Sequence, residues 1–540
     1  MSAPLAGHDS SRDGAVGTVT HGRLRAPAQD GAVLAEPSLD QIGAVLSRNR
    51  ARLAHPNLSI FGRTLADLRV QARHAALDAA RGYLRAGDEP LPTISDGPLL
   101  MAGHQPELFH PGVWAKNFAL NGLAKAQGGA ALNLVVDNDT AKSEALRVPT
   151  PANDAVAWPH TRLIVYDRWM GEIPYEEHVV ADEELFASFP DRVEEAMRGW
   201  GFKPLVATYW AEVSRQRTRT RLLGERIAAA RRRLEQAWGC HNLEVPVSRI
   251  CSSEPFALFA CHILADLPRF HAIHNEAVHE YRRRNGIRSR THPVPDLASD
   301  GDWLEAPFWG WRTAQPRRGR LLVRRVGGRI ELRAGADEWP SIPLDGLADR
   351  WVDLQDQGFK IRSRALTNTL YARILLADLF VHGIGGAKYD ELTDVIIQRF
   401  FPLEPPEFVV LSATRLLPVP VFDAHHEDVC RLGRRLRDLE YNPQRFLKGD
   451  LADQRRAWIV REPTGSQQRR DRFHAIRELT ARMRPELEAE IAQTKNRLEE
   501  TKQMLAANAV LRRRDYASCL FPDESLRPFV TQFLHNEVSG

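Results

Sequence analysis

Gly103-His104-Gln105-Pro106 closes a short apolar run, Pro98-Leu99-Leu100-Met101-Ala102, and leads into a helical stretch over 112–126. A loop between a buried strand and its following helix lies at the carboxyl edge of a parallel sheet. Free N–H groups and the positive helix end there favour phosphate and carboxylate ligands. Gly103 permits the tight turn. His104, Gln105 and His110 supply hydrogen-bonding groups, and Lys116 and Asn117 lie on the first turns of the helix, within reach of the same ligand. A polar surface turn is the plain alternative.

Three further groups have types and spacing that suit chemistry. Asp137 and Asp139 follow an apolar run over 131–136, with Glu144 as a third member. Carboxylates in that place bind ribose hydroxyls, an ammonium group or a metal, or simply cap a helix. Gly383-Ile384-Gly385-Gly386, with Lys388 and Tyr389, either cradles phosphate or ends a helix. Arg364 and Asn368 precede that turn and can face the same crevice. His262, His271, His274 and His279, with Cys251 and Cys261, are numerous enough for a metal, but only His271 and His274 have a spacing that shares a helix face. No metal site is expected. Cys519 and Arg512-Arg513-Arg514 read as surface features.

These residues need elements to hold them. The period of the apolar positions predicts two helices within 38–86, then a strand–helix–strand unit over 98–136 whose strands run parallel. A strand is expected at 163–166, a long helix at 206–237, and two helices over 254–285 separated near Pro268. Residues 288–345 read as a small β insertion, with a hairpin turning at Gly327-Gly328. Leu370, Ile374, Leu375, Leu379 and Phe380 predict one helix, broken at 383–386 and followed by a second over 388–400. A buried strand is expected at 407–411. Val429, Leu432, Leu436 and Leu439, and then Leu487, Ile491, Thr494, Leu498, Thr501 and Leu505, form two heptad seams. Pro485 is expected to start or kink the second of these helices.

The chain has 540 residues, too many for one core, so roughly two to four units are expected. Lys and Arg number 73 against 69 Asp and Glu, a net charge of +4. That balance argues against nucleic acid as the main partner. Five cysteines without a CxxC pair fit a reducing compartment, and the expected location is the cytoplasm. No apolar run reaches about 18 residues, so no membrane association is expected. Residues 1–30 read as a disordered leader without the apolar centre of a signal peptide.

The segment from Gly103-His104-Gln105-Pro106-Glu107-Leu108-Phe109 through Pro111-Gly112 resembles the opening of the cysteine-adding enzymes of bacillithiol biosynthesis. So do Arg364-Ala365-Leu366-Thr367-Asn368-Thr369-Leu370-Tyr371, the turn 383–386, and Phe521-Pro522 after the last long helix. The resemblance covers most of 95–525 in order and marks the chain as a divergent member. It implies an α/β fold: a Rossmann-like parallel-sheet core with inserted connecting segments and a C-terminal α-helical coiled coil that supports a homodimer. The expected organisation is a leader over 1–30 and N-terminal helices with the first half of the core over 31–205. Helical and small β insertions follow over 206–355, the second half of the core over 356–420, and the coiled coil over 421–540. The implied reaction is a C–N bond-forming ligation of cysteine to an amino-sugar conjugate of the glucosaminyl-malate type, with ATP or ADP as the cofactor candidate. His104, Asp137 and Asp139 are then the expected catalytic residues. Gly103, Gln105, His110, Lys116, Asn117, Arg364, Asn368, Gly385, Gly386, Lys388 and Tyr389 would bind substrate or phosphate. A non-catalytic nucleotide- or metabolite-binding regulator is the alternative.

Overall fold

The computed structural model describes residues 24–535, apart from 56, 154–155 and 336. Its central sheet has six strands: β1 (Val33–Glu36), β2 (Leu99–His104), β3 (Ala130–Val135), β4 (Leu243–Pro246), β5 (Leu379–His382) and β6 (Phe408–Ala413), in the order β1-β6-β5-β2-β3-β4. All adjacent pairs are parallel except β1 with β6. Successive residues of a strand face opposite sides of the sheet. Accordingly Leu99 and Met101 join one apolar cluster, and Leu100 and Ala102 the other. Both faces are covered, which is why β2 reads as a continuous apolar run rather than an alternating one.

The strand–helix–strand unit is as expected, with α1 (Pro111–Ala126) between β2 and β3. The third parallel strand, β4, lies inside the span expected to hold only insertions. The long helix expected before it is two helices, Val206–Arg215 and α2 (Leu223–Ala237), with a 3-10 turn at Gln216–Thr218. The region after 364 departs further. α3 (Ala365–Tyr371) passes into a π turn at Ala372–Leu376, and Leu379–His382 is the fourth parallel strand, not a continuation of helix. Four buried residues are too few for periodicity to separate strand from helix. α4 (Ile384–Phe400) follows.

β2 and β5 are neighbours, and their helices leave to opposite faces. Phe118, Leu120 and Leu123 of α1 pack in one cluster, and Leu392, Ile396 and Ile397 of α4 in the other. A crevice therefore opens beyond the carboxyl ends of β2 and β5.

The expected β insertion is larger than predicted. It is an antiparallel seven-stranded sheet whose hairpin pairs Val326 with Arg329 around the two glycines. Phe359–Ser363, expected in the second half of the core, is an edge of this other sheet, pairing with Trp303–Arg312. An antiparallel hairpin of Ala145–Thr150 with His160–Val165 completes the first half.

The C-terminal seams pack on each other within the chain. α5 (His426–Tyr441) and α6 (Ser466–Leu511, 46 residues) run antiparallel: Leu439 clusters with Leu487 and Ile491, and Arg435 pairs with Glu490. Pro485 sits inside α6 without ending it. The chain then returns to the core, where Tyr516, Leu520, Phe521, Leu526, Phe529 and Phe533 are buried. Cys519 is buried with them rather than on the surface. Residues 24–30 are also held down, correcting the expectation of a leader free to residue 30. Thr414 Oγ1 donates to Pro27 O at 2.7 Å, and Arg415 pairs with Asp30 at 2.9 Å. No single helix among the described residues is long and apolar enough to cross a membrane.

Candidate functional site

The crevice between β2 and β5 holds a cavity of about 640 Å³. His110 caps α1: its Nδ1 accepts from Gly112 N at 3.1 Å, with Pro111 at the first helical position. Nδ1 is thus an acceptor, and Nε2–H is left to donate. Gly112 lies so close to β6 that a Cβ would be 2.1 Å from Ala413 O. This approach sets the helix end at the cavity mouth. Burial, then Arg514 and Lys116, push His110 down to about 4. Burial beside Lys116 pushes His104 down to about 3. Both rings are therefore neutral at pH 7: His110 keeps Nε2–H to donate to an anion, whereas His104 donates its one N–H from Nδ1 to Gln105 O at 3.2 Å and offers Nε2 as an acceptor.

Lys116 lies one helical turn further on and is 5% exposed. Burial alone pushes its ammonium down to about 8, and no ion pair reaches it among the described residues. A buried ammonium without a counter-ion is costly. Its Nζ lies close to Gly383, across the crevice. There α4 begins, and its first-turn N–H groups lack intrahelical acceptors. Gly383 caps that helix in an extended conformation, so the glycine turn is a helix N-terminus and not a helix end. Gly385, Gly386 and Lys388 line the cavity with it.

Arg514 enters from the segment after α6. Its Nη2 donates to Ser412 Oγ and Ala413 O, both at 3.2 Å, and its Nε is buried without a partner. It lines the cavity, unlike the exposed Arg512, so the expectation of a surface basic run fails at this residue. Among the described residues, Arg25 is the fourth cation of the wall, and no Asp or Glu belongs to it.

A second chamber of about 470 Å³ adjoins the first and shares Gln105, Val136, Ala365 and Asn368 with it. Asp139 lies there. It accepts from Gln105 Nε2 at 2.9 Å and pairs with Arg318 at 2.7 Å, and Arg318 with Gln105 outweighs burial and keeps its carboxyl low. The guanidinium groups of Arg318 and Arg364 each lie over the Trp309 ring, at 4.6 and 4.0 Å from its centre. Arg364 pairs with Glu305 at 2.7 Å.

Of the residues expected from sequence, Gly103, His104, Gln105, His110, Lys116, Asn368, Gly385, Gly386 and Lys388 line the first chamber, and Asp139 and Arg364 the second. Three of the residues singled out in the sequence lie away from both chambers. Asn117 is buried and donates to Glu235 at 2.7 Å, docking α1 on α2. Asp137 lines neither chamber: Ser248 N donates to it at 2.9 Å and Ser248 Oγ also binds it. Burial, then Glu176, raise its carboxyl to about 7. Glu144 is likewise buried, 3.5 Å from His178 and away from both chambers. The side chain of Tyr389 lies outside the described residues. The histidine cluster disperses: His271 meets Ala298 O, His274 Asn275, His262 the Phe61 amide and His279 Asp296. No group of three metal-ligating side chains converges among the described residues. His382, Arg514, Arg25 and Trp309 had no sequence signal beyond residue type, because each reaches the site from a different part of the chain. No protein-family model matches the chain, and no curated protein matches it.

Proposed function

We propose that the protein is a C–N bond-forming ligase with a Rossmann-like core, binding a phosphorylated or carboxylate ligand in the first chamber and the amine partner in the second. The carrying observation is the pairing of two contiguous chambers at Gln105, one walled by Arg25, Lys116, Lys388 and Arg514 with no carboxylate among the described residues, the other holding Asp139. In such a ligation the amine attacks an activated carboxyl carbon. The nitrogen loses its ammonium proton to solvent and attacks as the free amine. The C–N bond forms, the C–O bond to phosphate breaks, its electron pair leaves on the phosphate, and the second proton of the new amide nitrogen also passes to solvent. Lys116, Lys388 and the first N–H groups of α4 would receive that charge. Asp139, kept ionised by Arg318, would hold an ammonium group. Following the family resemblance, cysteine and an amino-sugar conjugate are the proposed substrates, ATP or ADP the proposed cofactor, and a cytoplasmic homodimer the proposed form.

The test is the thermal unfolding midpoint with ATP, ADP, cysteine and glucosaminyl-malate, singly and in pairs, followed by a product assay. Ligands that bind the folded state raise the midpoint. A rise with the substrates together with amide product supports the ligase. No rise with any of the four at millimolar concentration rules it out. One observation favours the regulator: Asp137, a catalytic candidate, is consumed by packing. Binding of nucleotide with no product from any pair would select that reading.

A further inference from the structure

The helix Leu267–Arg284 and the segment after it bring His274, Pro293, Val294, Pro295 and Leu297 to the second chamber. Arg282, in the last turn of that helix, pins the segment. It donates to His292 O at 3.1 Å and to Val294 O at 2.7 Å, and it pairs with Asp296 at 2.9 Å. Asn275 clasps the segment's end: Leu297 N donates to Asn275 Oδ1 at 2.8 Å, and Asn275 Nδ2 donates to Leu297 O at 2.9 Å. The two backbone groups have fixed roles, so they settle which end of the amide is oxygen. His274 Nδ1 lies 3.1 Å from that same oxygen. A carbonyl oxygen only accepts, so the ring proton sits on Nδ1. Burial pushes the ring down to about 4, with Asn275 opposing and Arg364 reinforcing the shift. The ring is therefore neutral at pH 7, and Nε2 carries the lone pair. His274 is 4% exposed, yet among the described residues nothing donates to Nε2, and the atom is not sealed in by its surroundings.

We infer that His274 determines specificity in the second chamber: its Nε2 accepts a hydrogen bond from an uncharged O–H or N–H of the ligand held there, with Asn275 as its positioning residue. The inference rests on the second chamber being the site of the amine partner and adds a second group by which that partner is recognised. With Nδ1 turned onto Asn275, the Nε2 edge is the polar edge of the ring left for the chamber. A largely buried acceptor is satisfied in a folded protein, and the chamber is the side from which a donor can come. Arg364 stands near enough to oppose positive charge on the ring, so it also opposes an ammonium at Nε2 and leaves a neutral donor unaffected. The ammonium is matched instead by Asp139, the ionised carboxylate of the same chamber. The ligand that fits is an amine bearing a separate hydroxyl or amide donor. The ring stays neutral throughout, and at this residue no proton is transferred and no bond of the ligand forms or breaks.

Nitrogen-15 spectra of the full chain labelled in histidine read the ring directly, the His274 signals being those missing from His274→Gln. The expected state is a neutral ring protonated at Nδ1. Its Nε2 resonance should move toward that of a protonated nitrogen when glucosaminyl-malate is added. Asn275→Ala should let the proton distribute between both nitrogens, and an unchanged tautomer would overturn the role of Asn275. Calorimetric titration with the same probe reads the affinity. His274→Phe, which keeps a flat ring and removes the acceptor, should lose about tenfold for the probe and leave the affinity of the first chamber for inorganic sulfate unchanged. His274→Gln, whose Oε1 can stand where Nε2 stood, should keep most of the probe affinity. If His274→Phe does not fold, the spectra of the unmodified protein decide. A ring protonated at Nε2, an Nε2 signal indifferent to bound probe, or equal probe affinity with and without the acceptor overturns the inference and leaves the second chamber standing as a ligand site. Failure of the probe to bind the unmodified protein overturns both.

Discussion

At the residue scale, Lys116 is the most informative side chain because its cost has a direction. Its folded pKa lies below the unfolded value, near 8 against 10.5. The destabilisation is therefore fully present below pH 8 and is relieved as pH rises toward 10.5, and it amounts to about 3 kcal/mol. Lys116→Met should raise the unfolding midpoint of the ligand-free protein and weaken sulfate or ATP binding at least about tenfold. A lowered midpoint would show instead that the ammonium supports the fold. The affinity of the unmodified protein should fall as pH rises through about 8. Asp137 has the opposite shift. Its folded pKa, about 7, lies above the ordinary 3.8. The stability linked to it is present below pH 4 and is lost as pH rises through 7. Asp137→Asn keeps an acceptor for Ser248 N, so urea unfolding should lose much of its dependence between pH 4 and 7, with ligand binding unchanged. Residue types pointed to both side chains, but their roles diverged. Lys116 projects from its helix across the crevice, whereas Asp137 turns back to cap the helix after β4, and no spacing in the sequence distinguishes the two.

At the element scale, the site depends on two helix ends meeting at one sheet edge. The first end was legible, because an apolar strand, a glycine and a proline-started helix leave little alternative. The second was only half legible. The sequence carries the glycine turn, but the apolar positions before it suit a helix, since Leu379–His382 offers no period of its own and is defined by pairing with Leu100–Ala102. Nothing in the sequence marks His382 for the same reason. Gly112 gives this arrangement a direct test. A methyl group there would meet the Ala413 carbonyl at 2.1 Å, so α1 must shift off β6. Gly112→Ala should cost about 3 kcal/mol in denaturant unfolding and move the His110 cap out of the cavity mouth. A near-neutral change would mean that the helix end is not fixed by β6.

At the scale of the whole molecule, the heptad seams were read from sequence, but where the chain goes after them was not. The far segment carries scattered apolar residues rather than a period, and its partners lie hundreds of positions away. Ser518 N donates to Phe109 O at 2.7 Å, bracing the loop that bears His104, and Leu205 N donates to Phe521 O at 2.9 Å. By contrast, the helical pair meets the core beside the strand His160–Val165, where Trp158 packs on Phe422. Asn508 exchanges two hydrogen bonds with the Phe422 backbone, at 2.9 and 2.8 Å, so residues 422 and 508 are already adjacent. Two deletions should therefore behave in opposite ways. Replacing 423–507 by a short Gly/Ser linker should leave a core that unfolds cooperatively and still binds sulfate, because the seam buried by α5 and α6 is mostly their own. Stopping the chain at 511 removes Arg514 and strips Leu520, Phe521, Phe529 and Phe533 from the cluster that supports α1. It should abolish sulfate binding and broaden or remove the unfolding transition. If the shorter excision also destroyed the core, the helical pair would be part of its folding unit and not an appendage to it.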